Sequence, residues 1–271
     1  MINILMSTYN GEKYLTEQLD SILLQTYTDW NLFIRDDGSN DNTITILNNY
    51  KKKYSDKITI VSDGQNLGAC HSFERLLQGN DNADYFAFSD QDDVWLPDKL
   101  AHCLKTMQTA EQQFVNTPII IHTDLEVVNE QLQTINPSFW QYSNIQPSLV
   151  NNNLHYLAIC NSVTGCTMMM NKKAREYGLP VSPNAYMHDA WIALQTLLHN
   201  GKVIPLFETT VKYRQHNSNV LGAVPYRSTL TNLRFKWHLA KQAYKQAHPH
   251  IFANILTFTY WKLRYFFALH L

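Results

Sequence analysis

The sequence predicts an α/β fold: a mainly parallel central sheet with helices on both faces, plus a basic helical segment at the carboxyl end. Three observations carry that expectation. Short apolar runs of strand type alternate with stretches whose apolar residues recur every three or four positions. Each early strand runs into a polar, turn-forming cluster. The last acidic residue is Glu208, and nine Lys or Arg follow it. Strand–helix alternation gives parallel sheets covered on both sides, and such sheets bind ligands outside the carboxyl ends of their strands.

Residues 2–6 form an apolar strand that ends in Ser7-Thr8-Tyr9-Asn10-Gly11. Over 12–25, the residues Tyr14, Leu15, Leu19, Ile22 and Leu23 make one helix face. A strand over 30–34 feeds Arg35-Asp36-Asp37-Gly38-Ser39, and 41–53 reads as a helix. A third strand (57–61), a helix (72–77) and a fourth strand (85–89) follow, the last closing on Asp90-Gln91-Asp92-Asp93. Beyond Pro97 the expectation is a helix over 98–112, a strand over 118–122 and a poorly periodic polar segment over 129–153. A strand over 161–170, a helix over 190–199 and a strand over 203–213 complete it. No internal repeat is evident.

At 271 residues, with 45% hydrophobic and 17% charged residues, the chain can bury the core of one large domain with an appendage, which excludes a disordered protein. Cys70, Cys103, Cys160 and Cys166 show no C-x-x-C spacing, and the start carries no secretory signal. They are expected to be reduced, packed thiols of a cytoplasmic protein rather than zinc ligands. The net charge of −1 hides −10 up to Glu208 and +9 beyond it.

Phe88 to Pro97 is the most informative segment, because three carboxylates crowd a turn directly after an apolar strand. Hard divalent cations take carboxylate oxygens and leave positions open for phosphate oxygens, so the cluster suits a metal-diphosphate. A helix cap is the alternative for a single Asp.

The chain resembles the family 2 glycosyltransferases, whose GT-A fold has a nucleotide-binding half followed by an acceptor half. The matching segments, in order, are Leu5–Gly11, Gln25-Thr26-Tyr27, Arg35–Asp41, Asn66-Leu67-Gly68 and Asp90–Pro97, joined by His188-Asp189-Ala190-Trp191 and Tyr213-Arg214-Gln215-His216-Asn217. The resemblance implies a domain over 1–224, with 1–100 for nucleotide and 101–224 for acceptor, and a basic aromatic tail over 225–271. It implies that Ser7, Thr8 and Tyr9 border the nucleotide, and that Asp37 accepts from a pyrimidine N3–H. Asn66, Gly68 and Asp90 would lie near the donor sugar or ribose, and Asp92 would be the principal ligand of Mn²⁺ or Mg²⁺. The Asp36-Asp37-Gly38-Ser39 turn could instead order only the chain.

Asp189 is the candidate general base for an acceptor hydroxyl in a single, inverting displacement, although it could also cap a helix. His188 stands where the family usually has an acidic residue. His216 could complete the metal shell or be structural, and Arg214 could neutralise the departing phosphates. Within the family, the Asp-Gln-Asp-Asp-Val-Trp and Tyr-Arg-Gln-His-Asn forms resemble rhamnosyltransferases of bacterial polysaccharide assembly. That implies a dTDP-rhamnose donor, with a UDP-hexose as the alternative, and a glycan or lipid-linked acceptor.

A nicotinamide oxidoreductase would want G-x-G-x-x-G after the first strand, where this chain has Ser7-Thr8-Tyr9-Asn10-Gly11. A nucleotidyltransferase shares strand-end carboxylates and is separated by its pyrophosphate product. No nucleic-acid partner is expected. In the tail, Lys262 and Arg264 interrupt the apolar run 251–271, which argues against a membrane crossing. An interfacial helix at the inner face of the plasma membrane is expected there, with packing on the enzyme or in a homodimer as the alternative.

Overall fold

The structure is a computed structural model that describes residues 1–217 except 62, 63 and 152, then 219, 222, 223, 225 and 233–269; of 233–239 only the backbone is described. The expected boundary at residue 224 and the tail's Arg227 lie outside the described residues.

The first half runs β1 (Ile2–Thr8), α1 (Leu15–Leu23), β2 (Trp30–Asp36), α2 (Thr43–Lys53), β3 (Ile58–Ile60), α3 (Gly68–Gly79) and β4 (Tyr85–Ser89). Then come β5 (Val94–Trp95), α4 (Lys99–Gln113), β6 (Ile119–Val128), β7 (Thr134–Asn136), α5 (Phe139–Tyr142), α6 (Pro147–Val150) and α7 (Leu154–Ile159). The chain continues through β8 (Met169–Asn171), α8 (Lys172–Gly178), α9 (His188–Leu198), β9 (Lys202–Arg214), α10 (Leu233–Ala247) and α11 (Ile255–Ala268).

The strands form one sheet in the order β3-β2-β1-β4-β8-β6-β9-β5, with β7 beside β6. The first four pair in parallel, as do β6 and β9, whereas β8 runs antiparallel between β4 and β6. Side chains alternate across this sheet as strand geometry requires. Ile2, Ile4 and Met6 of β1 and Ala87 of β4 face α1, α2 and α4, while Leu5, Phe86 and Phe88 face α3, α7 and α9. Both faces are therefore covered by helices.

Two segments depart from the sequence expectation. The strand expected over 161–170 shrinks to β8, because side chains take over the backbone groups before it. Asn161 bonds Val163 in both directions, and Asp189 accepts from the Gly165 N–H. The polar stretch 129–153 carries β7, α5 and α6, and α7 starts where the Asn153 side chain accepts from the N–H groups of His155 and Tyr156 at 3.0 and 3.1 Å.

One side of the tail helix is turned inward. Phe258 and Tyr265 of α11 are buried in the core cluster that contains Tyr156 and Leu157 of α7, and Trp261 stacks on His155 with ring centroids 3.9 Å apart. Packing on the chain's own domain, the alternative, is what this face does. Its outer side still exposes Leu256, Leu263 and Phe267, because the helix has two apolar sides rather than one. Among the described residues no helix is long and apolar enough to cross a membrane.

Phe252 sits fully buried between His155 and Phe258. Phe252→Ala should lower unfolding free energy in urea by about 3–5 kcal/mol, while the half-exposed Ile255→Ala should stay within about 0.5 kcal/mol. Equal effects would show that the tail is not docked.

Candidate active site

β1, β2 and β4 end side by side, with Thr8 level with Asp36 and Met6 level with Ser89. Tyr9, Asp37 and Asp90 consequently leave the sheet along one edge. Asp36 builds the turn after β2, accepting from the N–H groups of Gly38 and Ser39 and from the hydroxyls of Thr8 and Ser39. Gly38 has φ +86°, a conformation that a side chain would strain. Asp37 pairs with the buried Arg35 and accepts from Leu67 N and Gly68 N at 2.7 and 2.8 Å, so it ties Asn66-Leu67-Gly68 to β2. Ser7 donates to Ser72 (2.6 Å). Tyr9 is half-exposed, and Asn66 and Gly68 are also open to solvent.

The loop Asp90–Asp93 is fastened from two sides. In front, the Gln91 amide clamps Tyr9, accepting from its N–H at 2.8 Å and donating to its carbonyl at 2.9 Å. Behind, Asp93 is fully buried and accepts from Arg214 N. The Arg214 guanidinium, itself only 1% exposed, donates to the Asp92 carbonyl at 2.8 Å and to the Glu130 carbonyl, pairs with Glu17 and lies over the Tyr14 ring. It therefore braces the loop from within, whereas the sequence expectation has it neutralising the departing phosphates.

Asp92 and His216, 124 positions apart, meet with Nε2 2.7 Å from Oδ2, and the imidazole packs on Tyr14. The carboxylates of Asp92 and of the partly exposed Asp90 are hard oxygen donors that fit Mn²⁺ or Mg²⁺, and the His216 imidazole adds a softer nitrogen donor. A second grouping, Asp90, Asp93 and Cys166, has its ligand atoms within 4.8 Å of one another. Burial pushes the Cys166 thiol well above its ordinary pKa and keeps it protonated, so this inner set suits a hard cation less well. Burial, and then the charges of Asp92 and Asp189, lifts Asp90 to about 7; burial, Asp92 and Asp90 hold Asp93 well above the usual carboxylate range.

Asp189 opens α9 and points back to the same edge. Its carboxylate accepts from Gly165 N (2.8 Å) and its neighbour Ala190 N (2.6 Å), and burial lifts it to about 6. Gly165 permits that approach, since a Cβ there would come within 3.2 Å of His188 Nε2 and 3.5 Å of Asp189 Oδ2. His188 is sandwiched by Phe73 and Phe88, and burial lowers it to about 3, so it is a neutral core side chain.

Sequence reasoning singled out the carboxylates and passed over Gln91, Gly165, Glu17 and Tyr14. Only Gln91 had a signal, its place inside the acidic motif; the others act through contacts distant in sequence.

A Cβ on Gly11 would come within 2.2 Å of Gln91 Oε1, so Gly11→Ala must displace the side chain that clamps Tyr9. The resemblance to family 2 glycosyltransferases implies that losing these two hydrogen bonds weakens nucleotide-sugar binding by about tenfold, and Gln91→Ala should do the same in calorimetry. Unchanged affinity in both variants would remove the clamp from the site.

Residues 3–178 match the profile of Glycosyl transferase family 2. The chain is 28% identical over 290 residues to a dTDP-rhamnosyl transferase, RfbG, of Shigella flexneri, across 96% of this chain and 94% of that protein. The putative glycosyltransferase EpsE of Bacillus subtilis is 31% identical over 127 residues, 46% of this chain and 45% of its own length. Among solved structures, S. aureus TarS 1-349 in complex with UDP-GlcNAc superposes with TM-score 0.60 at 16% identity, covering 90% of this chain and 66% of that one. The mannosyltransferase PcManGT from Pyrobaculum calidifontis, in complex with GDP-Man and Mn²⁺, gives TM-score 0.58 at 16% identity and covers 98% and 75%. Identities that low speak to the fold alone, whereas the profile spans well over half of the chain. The protein therefore belongs to glycosyl transferase family 2, a glycosyltransferase built on the GT-A fold.

Proposed function

We propose that this enzyme moves rhamnose from dTDP-rhamnose to a hydroxyl of a glycan or lipid-linked saccharide in cell-surface polysaccharide assembly, in one inverting step on the cytoplasmic side. The observation that carries the reaction type is Asp189, a buried carboxylate raised to about 6 and held at the same sheet edge as Asp90 and Asp92. Likeness to RfbG across nearly the whole chain supports the donor. The UDP-GlcNAc bound to the TarS neighbour supports the second reading, a UDP-hexose donor.

In this reading residues 1–100 hold the donor and 101–224 the acceptor. Ser7, Thr8 and Tyr9 border the nucleotide, Asp37 takes the pyrimidine, and Asn66, Gly68 and Asp90 line the sugar. Asp92 and His216 would hold a divalent ion, which would supply positive charge to the diphosphate. Arg214 keeps the Asp92 backbone in place, and Asp189 takes the acceptor proton as the hydroxyl oxygen bonds to the anomeric carbon. The bond from that carbon to phosphate breaks on the opposite side, and its electron pair leaves with the nucleoside diphosphate. Asp189 must be ionised to act, so a pKa lifted to about 6 places the acid limb of turnover near pH 6 rather than near 4.

Asp189→Asn should keep donor affinity while transfer falls about 100-fold or more and the limb near pH 6 disappears. Near-normal turnover, or retention of configuration in the wild-type product, would refute the mechanism. Asp92→Asn should abolish the Mn²⁺-dependent part of dTDP or UDP binding in calorimetry; the same metal enhancement as wild type would show that Asp92 is not a ligand. Incubating the enzyme with a panel of nucleotide sugars and Mn²⁺ identifies the donor, and release of pyrophosphate instead of nucleoside diphosphate would sink the glycosyl-transfer reading.

A further inference from the structure

α11 has two apolar sides and only one of them is covered. Phe258 and Tyr265 are buried on the inner side, beside Trp261 on His155. At 100° per residue, Ile255, Leu256, Tyr260, Leu263, Phe266 and Phe267 fall within one arc of roughly 140° on the opposite side, and each is more than half exposed. Lys262 borders this arc on one edge and Arg264 on the other, both exposed. No acidic residue follows Glu208. The 14-residue helix is about 21 Å long, short of the roughly 30 Å of a bilayer core.

We infer that the outer face of α11 lies in the surface of an anionic membrane, with the helix in the plane and Lys262 and Arg264 at the headgroup phosphates. An apolar arc bordered by cations and carrying aromatic rings matches the headgroup–acyl boundary. A second copy of the chain fits less well, because a two-fold antiparallel pairing of α11 would bring Lys262 and Arg264, near the helix middle, against their like-charged counterparts. Lipid contact uses the side opposite α7, so the tail binds without leaving its dock. The proposed function enters only as the purpose, which is to hold the enzyme where a lipid-linked acceptor is found.

The test is flotation of the full chain with phosphatidylcholine vesicles containing about a third phosphatidylglycerol, and with phosphatidylcholine alone. The wild type should float with the anionic vesicles and lose binding as salt rises. Leu263→Glu/Phe267→Glu should bind at least about tenfold less, with circular dichroism and vesicle-free hydrolysis of nucleotide sugar unchanged. Absence of wild-type flotation, wild-type-like flotation of the double variant, or a wild-type dimer that the variant splits without any flotation would each overturn the inference. Flotation by a protein that hydrolyses no nucleotide sugar would support the lipid surface and sink the proposed function.

Discussion

Four carboxylates, those of Asp90, Asp92, Asp93 and Asp189, converge where β4 ends and α9 begins. In a poorly solvated site their mutual repulsion is large unless cations or N–H groups offset it. Arg214 supplies a buried guanidinium and a main-chain N–H to the loop, Gly165 and Ala190 supply N–H groups to Asp189, and Lys99 lies close enough for Asp93 to act on its charge. Burial is the largest cause of the raised pKa values at Asp90, Asp93 and Asp189, and the neighbouring carboxylates add to it at Asp90 and Asp93. In the proposed mechanism, a divalent cation and a proton-accepting base would be two uses of the same concentrated negative charge.

The parallel half of the sheet sets where that charge lies, and β9 sets how it is held. β9 pairs with β6 over most of its length, shifts register around Asp124, and then takes β5 on its other edge. The strand that closes the sheet thereby runs its end past the acidic loop, which is how Arg214 and His216 reach Asp92.

Much of the first hundred residues was legible because strand runs, helix periodicity and polar turns agree there with the final packing. The carboxylates at the edge could be placed from their position after strands. Residues 129–178 were less readable, since Asn153, Asn161 and Asn171 direct the backbone through side-chain bonds that leave no periodic trace. The depth of Arg214 was hidden as well, because its partners Glu17 and Glu130 are remote in sequence. In the tail, composition revealed an apolar helix but could not divide its two sides between the α7 surface and the outside.

The brace on the acidic loop also imposes an order of events when the chain is made. Arg214 lies 121 residues beyond Asp93, so a ribosome elongating at about 5–20 residues per second exposes the loop roughly 6–24 s before the guanidinium that holds it. In that interval β1 to β4 can pair, but their carboxyl edge carries crowded aspartates without the guanidinium and imidazole that later meet them. The nascent half therefore has reason to remain open at this edge until β9 arrives, and the site is assembled late, by the strand that also finishes the sheet.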